Sequence, residues 1–306
     1  MLRVSVSIGD VERAAERIAA YVRRTPVLEV APGLFLKLEG TQHSGSFKAR
    51  GGFNRALMAG ELPEAGLIAA SGGNHGLAVA HVARTLGVRA EIFVPTVSSP
   101  VKVAGLRALG AEVTQIGAVY AEAYEASAKR AGETGALDIH AYDQAEVVAG
   151  QGTVGLETLE QTGGVDTVLV AVGGGGLIAG IVAALDGRAR VVAVEPELIP
   201  TLNRALEAGR PVKVGVSGVG ADALGASQIG AISYDLTSAA GVRSVLVSDE
   251  AIVDARLDLW RSYRVVAEHA GAAALAALRS GAYVPAPGER VAVIVCGANT
   301  DPADLV

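Results

Sequence analysis

The chain has 306 residues, half of them apolar and 19% charged, with a net charge of −6. That length predicts two domains with a large core, and the acidic balance without a basic stripe excludes a nucleic-acid partner. One cysteine, Cys296, excludes an intrachain disulfide and any multi-cysteine metal site, and an N-terminus without a signal peptide's apolar run fits a reducing cytoplasm.

In chain order, Asp10 can cap a first helix whose Val11, Ala14, Ala15, Ile18 and Val22 fall at helical spacing, and Thr25-Pro26 stops it. Leu34–Leu38 reads as a strand. After a turn-rich segment, Gly40 to Gly45, the stretch Ser46-Phe47-Lys48-Ala49-Arg50-Gly51 opens a helix carrying Phe53, Ala56, Leu57 and Gly60. Lys48 is one of only five lysines. At the lip of a strand–loop–helix turn, a partly desolvated lysine can meet a carbonyl cofactor as a Schiff base. The plainer reading is a solvated surface charge.

From Leu67 the chain alternates. Strand Leu67–Ala70, helix Gly76–Leu86, strand Ala90–Val94, a helix near Val101–Leu109, strand Ala111–Gln115 and helix Tyr120–Ala131 follow in turn, with Gly87, Gly110 and Gly132 at the helix ends. Helix Val154–Gln161, strand Val165–Val172, helix Leu177–Leu185 and strand Arg190–Val194 continue the rhythm. Strand Ser244–Val247, helices Ala251–Trp260 and Gly271–Arg279, and strand Arg290–Cys296 complete it. Short apolar strands alternating with helices predict an α/β fold with parallel sheets and crossover helices. The uncharged run Thr167–Leu185 is long enough to cross a bilayer. Four consecutive glycines in its middle make it a strand, a loop and a helix instead, so no membrane span is expected.

Two loops stand out for chemistry. Ser71-Gly72-Gly73-Asn74-His75-Gly76 joins a strand to a helix, where outward-pointing amides and a helix N-terminus suit a carboxylate or phosphate. Gly173-Gly174-Gly175-Gly176 does the same with no side chain in the way. Its continuation through Leu177 and Ile178 to Ala179 also fits the dinucleotide fingerprint, with Glu195 where a ribose-binding acid would sit, so a nicotinamide dehydrogenase is open on local pattern. The histidines show no metal-ligand spacing, and no Gly-x-Ser-x-Gly elbow occurs.

Taken in order, Ser46–Gly51, Ser71–Gly76, Gly150-Gln151-Gly152-Thr153 with Glu157, and Gly173–Leu177 resemble the serine/threonine dehydratase group of pyridoxal-phosphate enzymes. That group includes serine racemase and has the tryptophan synthase β-subunit type of fold, fold type II. The resemblance runs from Arg24-Thr25-Pro26 to Cys296-Gly297-Ala298-Asn299. It implies two parallel-sheet three-layer domains, 1–65 with 144–306 as the larger and 66–143 as the smaller, with pyridoxal 5′-phosphate in the cleft between them. Lys48, beside Phe47, matches the cofactor lysine. Ser71, Gly72, Gly73, Asn74 and His75 match the substrate-carboxylate loop, and Asn74 also the partner of the cofactor's 3′-oxygen. Gly173, Gly174, Gly175, Gly176 and Leu177 match the phosphate loop, and Glu268 an acid near the ring. Cys296 stands where the family usually has a serine facing the ring nitrogen.

The implied reaction is loss of the Cα proton and the β-hydroxyl from L-threonine, and from L-serine, giving a 2-oxo acid and ammonia. Serine racemisation, or dehydration of another 3-hydroxy amino acid, are the alternatives. Racemases of the group carry a serine where Gly72 stands, which implies elimination here. Some members bind a divalent cation on carboxylates after the strand that ends at Glu195; Thr201 stands where a second acid is expected, so only half of that site is present. Tyr124 and Tyr142 fall near the relatives' substrate-side residues but read as packing. The sequence ends at Val306, which implies no C-terminal regulatory domain. A homodimer is the family habit.

Overall fold

The computed structural model describes residues 5–305; residues 1–4, where the N-terminal leader was sought, lie outside them. In chain order the first half forms α1 (Ile8–Ile18), β1 (Val27–Ala31), β2 (Leu34–Leu38), α2 (Lys48–Met58), β3 (Leu67–Ala70), α3 (Asn74–Leu86), β4 (Ala90–Val94), α4 (Pro100–Ala108), β5 (Glu112–Gln115), α5 (Tyr120–Thr134) and β6 (Leu137–Asp138). The second half adds α6 (Ala145–Thr162), β7 (Thr167–Ala171), α7 (Gly176–Leu185), β8 (Arg190–Pro196), α8 (Thr201–Ala208), α9 (Ala221–Leu224), α10 (Ala231–Ala239), β9 (Arg243–Val247), α11 (Asp249–Tyr263), α12 (His269–Arg279) and β10 (Val291–Val295).

Two sheets result, a six-stranded one ordered β1-β2-β10-β7-β8-β9 and a four-stranded one ordered β5-β4-β3-β6. All neighbouring strands run parallel except β1 and β2, an antiparallel hairpin turned at Pro32-Gly33, where Gly33 takes φ +76°. The parallel sheets match the sequence reading, and the hairpin adds one antiparallel edge that it did not include. An edge strand needs only one partner, and β1 alternates no buried face that would announce it. The inner strands are buried on both sides, as in Val291, Ala292, Val293, Ile294 and Val295 of β10. Each such Val or Ile contributes about 1.5–3 kcal/mol by leaving water.

Several element ends differ from the sequence reading. Ser7, not Asp10, caps α1: the two form a capping box in which Asp10 N donates to Ser7 Oγ and Ser7 N to Asp10 Oδ2. α1 ends at Ile18, so Val22 lies past it. α5 runs through Gly132 to its left-handed cap at Gly135, and α6 begins nine residues before Val154. The apolar run at 167–185 is β7, the glycine loop and α7, and among the described residues no helix is long and apolar enough to cross a membrane.

The larger core surrounds the six-stranded sheet and includes Phe47 and Cys296. A second cluster covers the smaller sheet and takes in Phe53 and Ala56 from α2. α2 therefore lies between the two sheets, with α6 crossing it so closely that Gly51 and Gly150 face each other backbone to backbone. A Cβ on Gly150 would sit 2.7 Å from the Cα of Gly51.

Candidate active site

Helices α2, α3, α7 and α12 all begin around one cleft, lined by Lys48, Asn74, Gly176 and Glu268 among others. None of the four has a side-chain cap. Unpaired first-turn amides and four positive dipole ends in one place favour an anion. The loops after β3, β7 and β10 reach this cleft from the carboxyl ends of parallel strands, the usual ligand edge of such sheets.

Lys48 is the first residue of α2. The strand-end loop holding it is zipped to the end of β10: Ser46 bridges Gly297, and Phe47 N donates to Cys296 O at 3.2 Å. The Lys48 Nζ donates to Ala141 O at 2.6 Å and lies 5.1 Å from the centre of the Phe47 ring. Burial of the amine pulls its pKa down to about 8, against the opposing pull of Cys296 and Glu268. A substantial fraction is thus neutral, and nucleophilic, near physiological pH.

Two residues on, Arg50 is fully buried. It grips Glu39 through two bonds of 2.8 Å and Glu157 through bonds of 2.7 and 2.9 Å, and donates to Thr153. Lys37 Nζ completes the cluster on Glu157 at 2.6 Å. The stretch Gly150–Thr153 with Glu157 thus meets Ser46–Gly51 directly, and Arg50 fixes the helix whose first residue is Lys48.

The glycine loop is closed to side chains at all four positions. A Cβ would meet Leu224 at Gly173, the Tyr142 ring at Gly174, Ile229 at Gly175 and the Tyr142 backbone at Gly176, all within 3 Å. Gly175 also takes φ +91°. Beside it, the buried hydroxyl of Ser233, on α10, has no hydrogen-bond partner. α10 starts where Asp143 accepts from Ala231 N and Ile232 N. Neither Ser233 nor Leu224 carries a sequence signal; both come from a segment without periodicity.

Across the cleft, Asn74 Nδ2 donates to Glu268 Oε1 at 2.5 Å, and Asn299 Nδ2 donates to Asn74 Oδ1 and to Ser44 O, each at 2.7 Å. One amide hydrogen of Asn74 is left over. Burial pushes the Glu268 carboxyl up to about 7, opposed by the Asn74 bond and helped by the charge of Asp222. Cys296 is buried, its Sγ 3.4 Å from Ala270 O, and burial pushes the thiol well above its usual range, so it stays neutral. Ser71 accepts from Gly73 N through its hydroxyl, and Gly72 faces Val94, Ser98 and Lys102. His75 behaves otherwise than the sequence reading supposed. Its Nε2 is 2.7 Å from Ile139 O, which makes that nitrogen the protonated donor, and burial lowers its pKa to about 3. The imidazole is committed to the 139–144 loop, leaving only its backbone for a ligand.

Glu195 does not face this cleft as a ribose acid or a cation ligand would. It is fully buried and accepts from Leu202 N, Asn203 N and Ser244 Oγ, capping α8. Thr201 Oγ1, 3.3 Å from Glu195 Oε1, donates to Gly173 O at 2.6 Å, tying that cap to the glycine loop. Among the described residues no group of three His, Cys, Asp or Glu is placed to hold a metal.

Tyr142, read as packing, lines the cleft against the glycine loop.

A sequence model of the family described as "Pyridoxal-phosphate dependent enzyme" matches residues 18–297. The chain is 35% identical to an L-threonine ammonia-lyase of Thermotoga maritima, over 97% of this chain and 76% of that protein. It is 38% identical to a phenylserine dehydratase of Ralstonia pickettii, over 94% and 91% respectively. Among solved structures, maize serine racemase superposes with TM-score 0.91 at 31% identity, covering 99% of this chain and 96% of that one. A threonine deaminase from the source abbreviated T.th. gives 0.88 at 38% identity, covering 96% and 99%.

Proposed function

Because the chain belongs to the pyridoxal-phosphate-dependent enzymes, we propose that it is the member acting as an ammonia-lyase on L-threonine, and less well on L-serine, releasing a 2-oxo acid and ammonia. Its cofactor is pyridoxal phosphate, and the ammonia-lyase class follows from relatives such as the threonine ammonia-lyases. The cleft's residues fit that cofactor. Four glycines free of side chains, a helix start without a cap and the unpaired Ser233 hydroxyl suit a phosphate, and Lys48 offers a desolvated amine for the aldehyde.

In this reading Lys48 holds the cofactor, the glycine loop with Ser233 takes its phosphate, and Cys296 offers a neutral thiol to the ring. The amides of Ser71 to His75 bind the substrate carboxylate at the start of α3. The cofactor supplies an electron sink for the pair left at Cα. Lys48, once its amine is free, removes the Cα proton, and burial, which disfavours its charged form, suits it to pass that proton on. The β-hydroxyl leaves as water with the proton that Lys48 took from Cα, and the released enamine takes up one water to give 2-oxo acid and ammonia. Gly72 has no side chain to return a proton to the opposite face of Cα, which favours elimination over racemisation. The units proposed to close on substrate are 66–143 and the remainder, 1–65 with 144–306. A cytoplasmic homodimer belongs to the same reading.

The observation that carries the proposal is the Lys48 amine, desolvated at the meeting of four uncapped helix starts. Borohydride treatment of the purified protein followed by peptide mapping should place the pyridoxyl group on Lys48. L-Threonine should yield 2-oxobutanoate, with L-serine slower by a factor set by one methyl group, worth about 1–3 kcal/mol. A label on another lysine overturns the site. Keto acid from other hydroxy amino acids but not from threonine overturns the substrate.

A further inference from the structure

Three side chains form a line of hydrogen bonds whose direction is fixed at one end. Asn299 Nδ2 donates to Ser44 O and to Asn74 Oδ1, each at 2.7 Å, and Asn74 Nδ2 donates to Glu268 Oε1 at 2.5 Å. A backbone carbonyl can only accept. Ser44 O therefore claims the nitrogen end of the Asn299 amide, and the second hydrogen on that nitrogen claims the oxygen of Asn74. Turning Asn299 over would set its oxygen against Ser44 O. Turning Asn74 over would set one NH₂ group against another.

The frame around this line is tightly held. Ser44 sits in the left-handed region at φ 60°, uncommon for a residue other than glycine. Next to it Gly45 has φ +76°, where a Cβ would collide with Asn299 Oδ1. Ala298 N donates to Gly45 O at 2.9 Å, fixing the chain just before Asn299. Buried Arg256, on α11, steadies both ends: Nε donates to Ala267 O, beside Glu268, and Nη2 to Thr300 Oγ1, beside Asn299, each at 2.9 Å. Asn74 and Glu268 line the cleft with Lys48, and Asn299 stands behind them.

Resting on the reading that Lys48 holds pyridoxal phosphate, we propose that Asn299 is a positioning residue, which fixes the Asn74 amide so that an N–H and not a carbonyl is offered to the cofactor's ring oxygen. The hydrogen of Asn74 Nδ2 not given to Glu268 is the one on offer. A donor beside a phenol-type oxygen favours its ionised form, and an acceptor there favours its protonated form. Asn299 touches neither substrate nor the cofactor in this arrangement. It acts only through the direction of its neighbour.

The test reads the two absorption bands of the bound cofactor, ring oxygen ionised against ring oxygen protonated, on the holoenzyme at one pH. Asn299→Asp keeps the size of the side chain and removes its donor. Asn74 should then turn its N–H groups to the new carboxylate and its carbonyl to the cleft. The ratio of ionised to protonated form should fall roughly tenfold or more, the size of one hydrogen bond to a charged group. A new negative charge could lower the ratio through space, so the substitution is repeated in protein carrying Asn74→Ala. If Asn299 acts through Asn74, the ratio in that background no longer responds to Asn299→Asp. Should Asn299→Asp fail to fold, Asn299→Ala takes its place in both backgrounds, with a smaller fall in the same direction. A ratio that the substitution leaves unmoved, or moves equally with and without Asn74, overturns the positioning role and leaves the ammonia-lyase reading standing. No cofactor band in the parent, or a cofactor carried on another lysine, overturns that reading and the positioning role with it.

Discussion

The Glu268 carboxyl titrates at about 7 rather than 4.5, chiefly through burial. The folded protein therefore binds more protons than the unfolded chain between those values, and stability falls as pH rises through that window. Below about 4.5 both states are protonated and no penalty exists; above about 7 the full penalty applies, about 3 kcal/mol at most for this shift. Glu268→Gln keeps an acceptor for Asn74 and removes the charge. Denaturant unfolding of the cofactor-free protein should find the variant more stable at pH 8 by up to that amount, and equal to the parent at pH 4.5. Equal stability at pH 8 would mean that the carboxylate is well solvated. Gly72 gives a second residue-scale prediction. A Cβ there lies 3.6 Å from Val94 Cγ1 and 3.7 Å from Ser98 Oγ, ordinary contacts, and Gly72 is not among the positive-φ glycines. Gly72→Ser should fold, and chiral chromatography should find D-serine formed from L-serine by the variant and not by the parent. D-serine from the parent would reveal another proton donor on that face of Cα.

At the scale of elements, the crossing of α2 and α6 determines where Lys48 stands. Arg50 is the pin: with Lys37 it balances Glu39 and Glu157 in a cluster closed to water on the arginine side. Arg50→Met leaves two carboxylates to one lysine and should cost about 3–5 kcal/mol, as expected when one partner of a buried pair is removed. Glu160→Gln, which breaks the exposed Arg24–Glu160 pair, should cost less than about 1 kcal/mol. Urea unfolding of the two variants makes the comparison. The cluster also explains what the sequence could convey. The positions of Lys48 and of the two glycine-rich loops, and most of the inner strands, were legible because strand–glycine–helix turns are local and buried strands are continuously apolar. The contacts of Arg50, Ser233 and Tyr142 were not. Arg50 and Glu157 are 107 residues apart, and Ser233 reaches the glycine loop only because Asp143 caps α10. β1, β6, α9 and α10 were missed for a related reason: they are short or half-exposed, so no period marks them, whereas α8 was missed although its buried Leu202 and Ala205 fall at helical spacing. His75 looked like a ligand-loop residue, and its tautomer and bond to Ile139 depend on a neighbour 64 positions away.

At the scale of the molecule, the contacts that tie the two walls of the cleft together can be named. Inside, Asn74 is bonded to Glu268 and Asn299. At the mouth, Lys102 at the start of α4 pairs with Asp222 on α9. The Lys102 side chain lies beside Gly72, and the Asp222 backbone beside Gly73. Both partners are substantially exposed, 38% and 61%, so the pair contributes less than about 1 kcal/mol and is screened by salt. That is enough to slow opening by up to about fivefold at low ionic strength. Two substitutions separate a strap from simple charge steering of the anionic cofactor. Lys102→Met removes a positive charge and Asp222→Asn a negative one, but each breaks the same tie. If the tie limits entry, both variants should rebind pyridoxal phosphate faster than the parent in stopped-flow absorbance at low salt, and the difference should vanish at about 1 M salt, where the screening length is only about 3 Å. If steering dominates, Asp222→Asn should be faster and Lys102→Met slower. That opposite-signed result would remove the strap and leave the Asn74 network as the tie that holds the cleft shut.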